Sequence, residues 1–183
     1  RVMDKKRIFL AIPLEEKFKQ EINKVLSNIK PKLKEIRFTN ENYWHLTVVP
    51  PQYLNDSELN RMIELISNLQ LEKFKLQANR ISFAPFNSNY RMIWLVFDRN
   101  QEFISLKEKI IKTLSTEFKL ERIISREEVI HLTLARFKFF DKNWLNILPI
   151  KLTQEVEINK VEFWKSNLKR TGAEYEIIKT IKF

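Results

Sequence analysis

The sequence predicts strands and helices arranged as two similar lobes that face a shared cleft. Three observations predict it. The chain has only two histidines in 183 residues, His45 and His131, and each opens the same tripeptide, H-L-T. Each histidine also closes a similar series. A strand at 7–12, a helix at 14–29 and the His45 strand form one; a strand at 91–97, a helix at 101–118 and the His131 strand form the other. Arg7 to His45 spans 38 residues and Met92 to His131 spans 39, a weak internal repeat of two copies. Finally, strand residues two apart share a face. His45 and Thr47 therefore point one way while Leu46 and Val48 bury, and His131 with Thr133 opposes Leu132 and Leu134. A pseudo-two-fold axis through the cleft would bring two imidazoles and two hydroxyls together.

The elements follow in order. "RVMDKKRIFLAIPLEEK" superficially resembles a signal peptide, but its apolar run is short, lacks a small-residue cleavage site and leads into Glu15 and Glu16. A first strand at 7–12, closed by Pro13, is expected instead. Phe18, Ile22, Val25, Leu26 and Ile29 form one helical stripe, and Pro31 marks its exit. "KEIRFTNENYWHLTVV" reads as a strand approach, a polar turn and a strand stopped by Pro50 and Pro51. Ser57 is the expected N-cap of a helix reaching about residue 69, with Leu59, Met62, Ile63, Ile66 and Leu69 inward. "FKLQANRISFAPF" alternates as a strand, "FNSNY" is a loop, and "RMIWLVF" is a strand. Helix 101–118 buries Phe103, Leu106, Ile110, Leu114 and Phe118. "EEVIHLTLARFKF" is a strand, and the tail from Ile158 reads as two strands around a turn at Thr171 and Gly172.

Composition narrows the function classes. A hydrophobic content of 44% suffices for a core, and residues 1–183 are expected to form one domain of two intertwined lobes. With no cysteine there is no disulfide framework, thiol nucleophile or cysteine-based zinc site. That is compatible with a reducing cytoplasm, the expected compartment. No apolar run is long enough to span a bilayer as a helix. One glycine in the chain excludes a glycine-rich phosphate loop and a dinucleotide fingerprint. The net charge of +10 attracts phosphate-bearing polymers, although a lysine-rich composition bias accounts for it equally well.

Paired H-x-T strands have a specific chemical use. Opening a cyclic phosphodiester needs a base for the attacking water and an acid for the leaving ribose oxygen. Histidine, with an ordinary pKa near ~6.5, can serve as either near neutral pH. Two threonine hydroxyls can donate to the non-bridging oxygens as charge develops. No metal or other cofactor is required, and two histidines without neighbouring carboxylates underfill a zinc site. A single H-L-T on a strand is usually structural. Both histidines sharing it by chance is on the order of one in ten thousand at ordinary Leu and Thr usage, and the matched spacing adds to that.

These motifs, "HLTV" at 45–48 and "HLTL" at 131–134, resemble the two-histidine (2H) phosphoesterases, and most closely the RNA 2′,3′-cyclic phosphodiesterases, also called 2′-5′ RNA ligases. The resemblance covers nearly the whole chain. "RIFLAIPL", "RMIWLVF", "HLTLAR" and "VEFWKSNLKRTGAEYEII" resemble that family's opening strand, central strand, second motif and closing strand–turn–strand. It implies an α+β, bilobal fold with mainly antiparallel sheets lining a central cleft and helices outside. It implies His45 as proton donor, His131 as proton acceptor, Thr47 and Thr133 as phosphate ligands, and Arg136 as a further positive charge on the phosphate. Strict alternation disagrees on Arg136, which shares parity with Leu132 and Leu134 and faces the cleft only if the strand bends or ends there.

The implied activity is metal-independent opening of RNA 2′,3′-cyclic phosphate ends to 2′-phosphates, together with reversible 2′-5′ RNA ligation. The implied partner is such an RNA end or a cyclic nucleotide; no protein partner is evident and a monomer is expected. Two alternatives stand beside it: a related enzyme acting on a small cyclic nucleotide or ADP-ribose cyclic phosphate, and a non-catalytic RNA-binding module. Two departures from the family pattern are visible. Ile130 stands where the family has Pro, and "VPPQYL" follows the first motif where the family has "FLG", a change expected to reshape a loop beside the cleft. Among the aromatic residues Tyr43, Trp44, Tyr53, Phe86, Tyr90, Phe137 and Phe139, core positions are favoured, with Tyr53 and Tyr90 the better base-stacking candidates. Ser166 reads equally as a structural cap or a ligand contact.

Overall fold

The computed structural model describes residues 4–124 and 128–183. Among the described residues, ten strands form two antiparallel sheets, with three α-helices packed on them. The first sheet has the order β10–β9–β1–β3: β1 is Lys6–Pro13, β3 His45–Leu54, β9 Lys160–Lys169 and β10 Gly172–Lys182. The second runs β2–β6–β5–β4–β7, with β8 also paired to β4. Here β2 is Arg37–Phe38, β4 Phe74–Ala84, β5 Met92–Phe97, β6 His131–Arg136, β7 Ile150–Lys151 and β8 Glu155–Ile158. The α+β, antiparallel expectation holds. The run β9–β1–β3 in one sheet has the same relation as β4–β5–β6 in the other: a helix joins the second strand to the third, and the third carries the histidine.

The helices bury the expected stripes. Helix α1 (Glu16–Ile29) buries Phe18, Ile22, Leu26 and Ile29. Helix α2 (Asp56–Ser67) buries Leu59, Met62 and Ile66, and α3 (Gln101–Ser115) buries Phe103, Leu106, Ile110 and Leu114. Leu46 and Val48, and Leu132 and Leu134, enter the same core from the histidine strands. That burial drives each motif's polar partners to the opposite face. Among the described residues no helix is long and apolar enough to cross a membrane.

Several boundaries differ from the sequence reading. The N-cap of α2 is Asn55, not Ser57. Its side chain accepts from the Glu58 backbone N–H at 2.8 Å, and the Glu58 carboxylate accepts from the Asn55 N–H at 3.1 Å, a reciprocal capping box. Helix α3 stops at Ser115 rather than at 118. The Thr113 and Thr116 hydroxyls bond back to the Lys109 and Thr113 carbonyls there, competing with the helical ladder. Phe118 still packs against the core from beyond the helix. The predicted strand at 127–139 is shorter, running from His131 to Arg136; its first residue, Glu127, lies outside the described residues.

Pro50 and Pro51 do not stop β3, which continues to Leu54. Because β3 is the last strand of its sheet, one side of its backbone needs no ladder bonds, and edge strands tolerate proline. "VPPQYL" is therefore strand, not a reshaped loop. Gln52 within it is 5% exposed; its amide donates to the Pro50 and Glu121 carbonyls and accepts from the Glu121 N–H at 2.8 Å, tying the strand to the chain after α3. The closing hairpin turns through Arg170 and Thr171, with Lys169 opposite Gly172. Gly172 has φ +125°, a conformation that a side chain would strain.

Candidate active site

The sheets meet at a cleft of about 300 Å³ whose walls include His45, Thr47, His131, Thr133 and Arg136. All five residues singled out from the sequence thus reach one place. Arg7, Phe9, Thr39, Tyr43, Pro51 and Tyr175 complete much of the rest. A larger cavity, about 570 Å³, adjoins it and shares Thr47 and His131 as walls.

The fourth residue of each motif explains how Arg136 arrives. In β6, Thr133 pairs with Trp94 and Ala135 with Ile93, which leaves Leu134 without a partner. In β3, Thr47 pairs with Ala11 and Val49 with Leu10, which leaves Val48 without one. Both motifs therefore carry a β-bulge at the same position. A bulge adds one residue to one strand and resets its alternation. Leu134 and Ala135 are consecutively buried, and Arg136 returns to the face of His131 and Thr133, opposite Met92. The parity objection from strict alternation is removed. In β3 the bulge is followed by the two prolines, so no arginine occupies the equivalent place there.

The two histidines are held alike. His45 Nδ1 lies 2.8 Å from the Tyr43 carbonyl oxygen, and His131 Nδ1 lies 2.8 Å from the Val129 carbonyl oxygen. A carbonyl only accepts, so each Nδ1 carries hydrogen and donates it, and Nε2 is the nitrogen available to a ligand. Aromatic rings fix both imidazoles. Trp94 stacks on His131 with centroids 3.8 Å apart and 19° between planes. Phe9, Trp164 and Tyr175 surround His45 at 5.0, 5.0 and 5.5 Å.

Burial is the main force on the proton affinity of both rings, and it pulls each pKa below the usual 6.5. The carbonyl bonds work against it. For His45 the charge of His131 and then that of Arg136 add to the lowering, which places the three groups in mutual electrostatic contact. For His131, Glu128 favours the protonated ring while Arg136 and Lys107 oppose it. Arg136 has a contact to the Met92 sulfur at 3.2 Å and no carboxylate partner among the described residues, so its charge is directed at the cleft uncompensated. No Asp or Glu lines the cleft, and no group of three or more His, Asp or Glu that could hold a metal occurs among the described residues.

Comparisons with known proteins identify the family. A family model described as LigT-like phosphoesterase matches residues 12–94, which include the first motif. An RNA 2′,3′-cyclic phosphodiesterase of Methanocaldococcus jannaschii is 32% identical over 180 residues, covering 94% of this chain and 98% of that protein. The chain belongs to the LigT-like phosphoesterases. A second relative of this LigT-like phosphoesterase, the RNA 2′,3′-cyclic phosphodiesterase of Aquifex aeolicus, is 26% identical over 87% of this chain and 89% of its own length. The fold matches that of E. coli LigT complexed with 3′-AMP, with a TM-score of 0.77, 16% identity and 98% of each chain covered. A Thermus thermophilus structure gives 0.78 at 18% identity, covering 96% and 97%.

Some expectations do not reach the cleft of this LigT-like phosphoesterase. Tyr53 lies on β3, 54% exposed, and Tyr90 packs with Phe83 and Phe140, so neither better stacking candidate lines it. Trp44 is core, and Phe139 is exposed. Tyr43 does line it, edge-on to Tyr175 at 5.2 Å. Ser166 is buried and accepts from Arg7 Nη1 at 2.7 Å. Arg7 and Tyr175 are the residues that sequence reasoning missed. Arg7 shares parity with Phe9 and Ala11, a signal readable on β1 alone, but the register that brings Tyr175 across from β10 is not local.

Proposed function

We propose that the protein hydrolyses RNA 2′,3′-cyclic phosphate ends to 2′-phosphates, using His45 and His131 as an acid–base pair. The observation that carries this is the paired geometry: two imidazoles, each with Nδ1 tied to a carbonyl two residues upstream and Nε2 left for a ligand, in one cleft with two threonines and an arginine. The names of the relatives, RNA 2′,3′-cyclic phosphodiesterase, support the substrate class.

In this reading the phosphate sits between Thr47 and Thr133, whose hydroxyls donate to its non-bridging oxygens, with Arg136 balancing the charge that grows there. His131 Nε2 takes a proton from water as the water oxygen bonds to phosphorus. The P–O3′ bond breaks, and O3′ takes the proton of His45 Nε2. The 2′-phosphate and a free 3′-hydroxyl remain, and the histidines have exchanged protonation states; exchange with solvent resets them. With a 5′-hydroxyl in place of water as the nucleophile, the same forward steps join RNA 2′ to 5′, and run backwards they cleave that bond and restore the cyclic phosphate. Every proton and charge is handled by side chains of this chain, so activity is expected to survive EDTA.

The test is incubation with a cyclic-phosphate oligoribonucleotide and with 2′,3′-cyclic mononucleotides, in EDTA, with product position read by phosphorus NMR. Turnover of the oligonucleotide to a 2′-phosphate is expected. Turnover of the small substrates alone replaces RNA by a free cyclic nucleotide, and tight binding without turnover removes the enzymatic reading.

A further inference from the structure

We infer that Arg7, Tyr43 and Tyr175 form a second phosphate subsite, which takes the phosphodiester on the 5′ side of the terminal ribose. The inference rests on the cyclic-phosphate reading above and deepens it: the substrate becomes an oligonucleotide end rather than a nucleoside cyclic phosphate.

Charge points to this subsite first. Arg7 and Arg136 are two guanidinium groups on one small cleft that no carboxylate lines among the described residues. Neither has a carboxylate partner among the described residues: Arg7 Nη1 donates to the Ser166 hydroxyl, and Arg136 Nη1 meets the Met92 sulfur. Arg7 is part-buried and its bond to a buried serine fixes the arm, leaving the rest of the fork for an anion. One phosphate held by two threonines and Arg136 does not use this second charge.

Distance points the same way. Ala11 lies opposite Thr47, at the level of the histidine motif. Arg7 is four residues further along β1, about 13 Å at the usual strand rise. Phe9 fills the interval, and it is 4% exposed, so it floors the cleft rather than receiving a base on its face. Arg7 therefore addresses a group beyond the reacting phosphorus while sharing its cleft.

A pair of phenols adds to the charge. Tyr175 stands edge-on to Tyr43 at 5.2 Å, and both line the cleft. Tyr175 shares the cleft with Arg136 and Arg7 and interacts electrostatically with both. Burial holds its phenol above the usual range, so near neutral pH it remains a hydrogen-bond donor. Two phenol hydroxyls and one fixed guanidinium, on a cleft that no carboxylate lines among the described residues, suit a singly charged phosphodiester.

The test compares adenosine 2′,5′-bisphosphate with adenosine 2′-monophosphate by titration calorimetry. Both offer a 2′-phosphate to the histidines, and only the first carries a phosphate at the 5′ position. The wild-type protein is expected to bind the bisphosphate at least about tenfold more tightly, the scale of one charge-assisted hydrogen bond. Arg7→Gln is expected to bring that ratio close to one. Tyr43→Phe, which keeps the ring and the carbonyl that holds His45, is expected to lower it in part and serves if Arg7→Gln does not fold. Equal wild-type affinities, or a ratio unchanged in folded Arg7→Gln, overturn the subsite and leave hydrolysis standing. A preserved ratio without turnover in the hydrolysis assay supports the subsite and overturns hydrolysis. Failure to bind either ligand overturns the subsite, and absence of turnover in the hydrolysis assay as well overturns both.

Discussion

Replacing Arg136 by methionine removes a charge that the bulge at Leu134 delivers to the cleft while keeping much of the side-chain length. Two effects follow. In the proposed reaction the phosphate loses its guanidinium partner, and hydrogen bonds to a charged group are worth about 1.5–3 kcal/mol. At 1.36 kcal/mol per factor of ten, kcat/KM should fall by about 10- to 150-fold. The second effect concerns pH. Arg136 lowers the pKa of both histidines, so its removal lets both rise. Both limbs of the pH–rate profile should therefore move to higher pH. Arg136→Lys keeps the charge but not the planar fork, so it should lose rate with less movement of the limbs. Steady-state hydrolysis of a cyclic-phosphate oligonucleotide across the histidine range measures all three proteins. A methionine variant with the wild-type rate and unmoved limbs would refute the placement of Arg136 on the phosphate face.

Other outcomes are also expected. Burial depresses both histidine pKa values in the folded protein, so between the folded and unfolded values the unfolded chain binds more protons, and stability rises with pH. Urea unfolding should show stability falling as pH drops through and below about 6.5, and the His45→Ala, His131→Ala double variant should show a smaller fall. Asn55→Ala removes the side-chain acceptor of the capping box at α2 and should cost about 1 kcal/mol in the same assay, without changing kcat/KM for the cyclic phosphate.

Much of this architecture was legible because hydrophobic periodicity is local. Phe18, Ile22, Leu26 and Ile29 announce α1 by spacing alone, and the alternation in H-L-T assigns His45 and Thr47 to one face and Leu46 to the other. What could not be read depended on register or on competition between local and distant contacts. A break in alternation was visible at Leu134–Ala135, two apolar residues in succession, but only the pairing with Ile93 and Trp94 identifies it as a bulge. Pro50 and Pro51 read as a stop because edge position is a property of the sheet, not of the segment. The two residues of β7 are too few to show a period and the alternation of β8 lasts only four residues, so both strands are defined by pairing with β4. Arg7, Tyr43 and Tyr175 meet from β1, the turn before β3 and β10, a convergence that no sequence window contains.

The most direct test of the account is the pH dependence of kcat/KM for a cyclic-phosphate oligoribonucleotide, in EDTA, for the wild-type protein and for His45→Ala and His131→Ala. The account predicts a bell for the wild type with its maximum on the acid side of the ordinary histidine range, since burial lowers both rings. It predicts a loss of at least about a hundredfold in each variant, the usual scale for general acid–base catalysis. A wild-type rate in either alanine variant, or a profile flat across the histidine range, would contradict it.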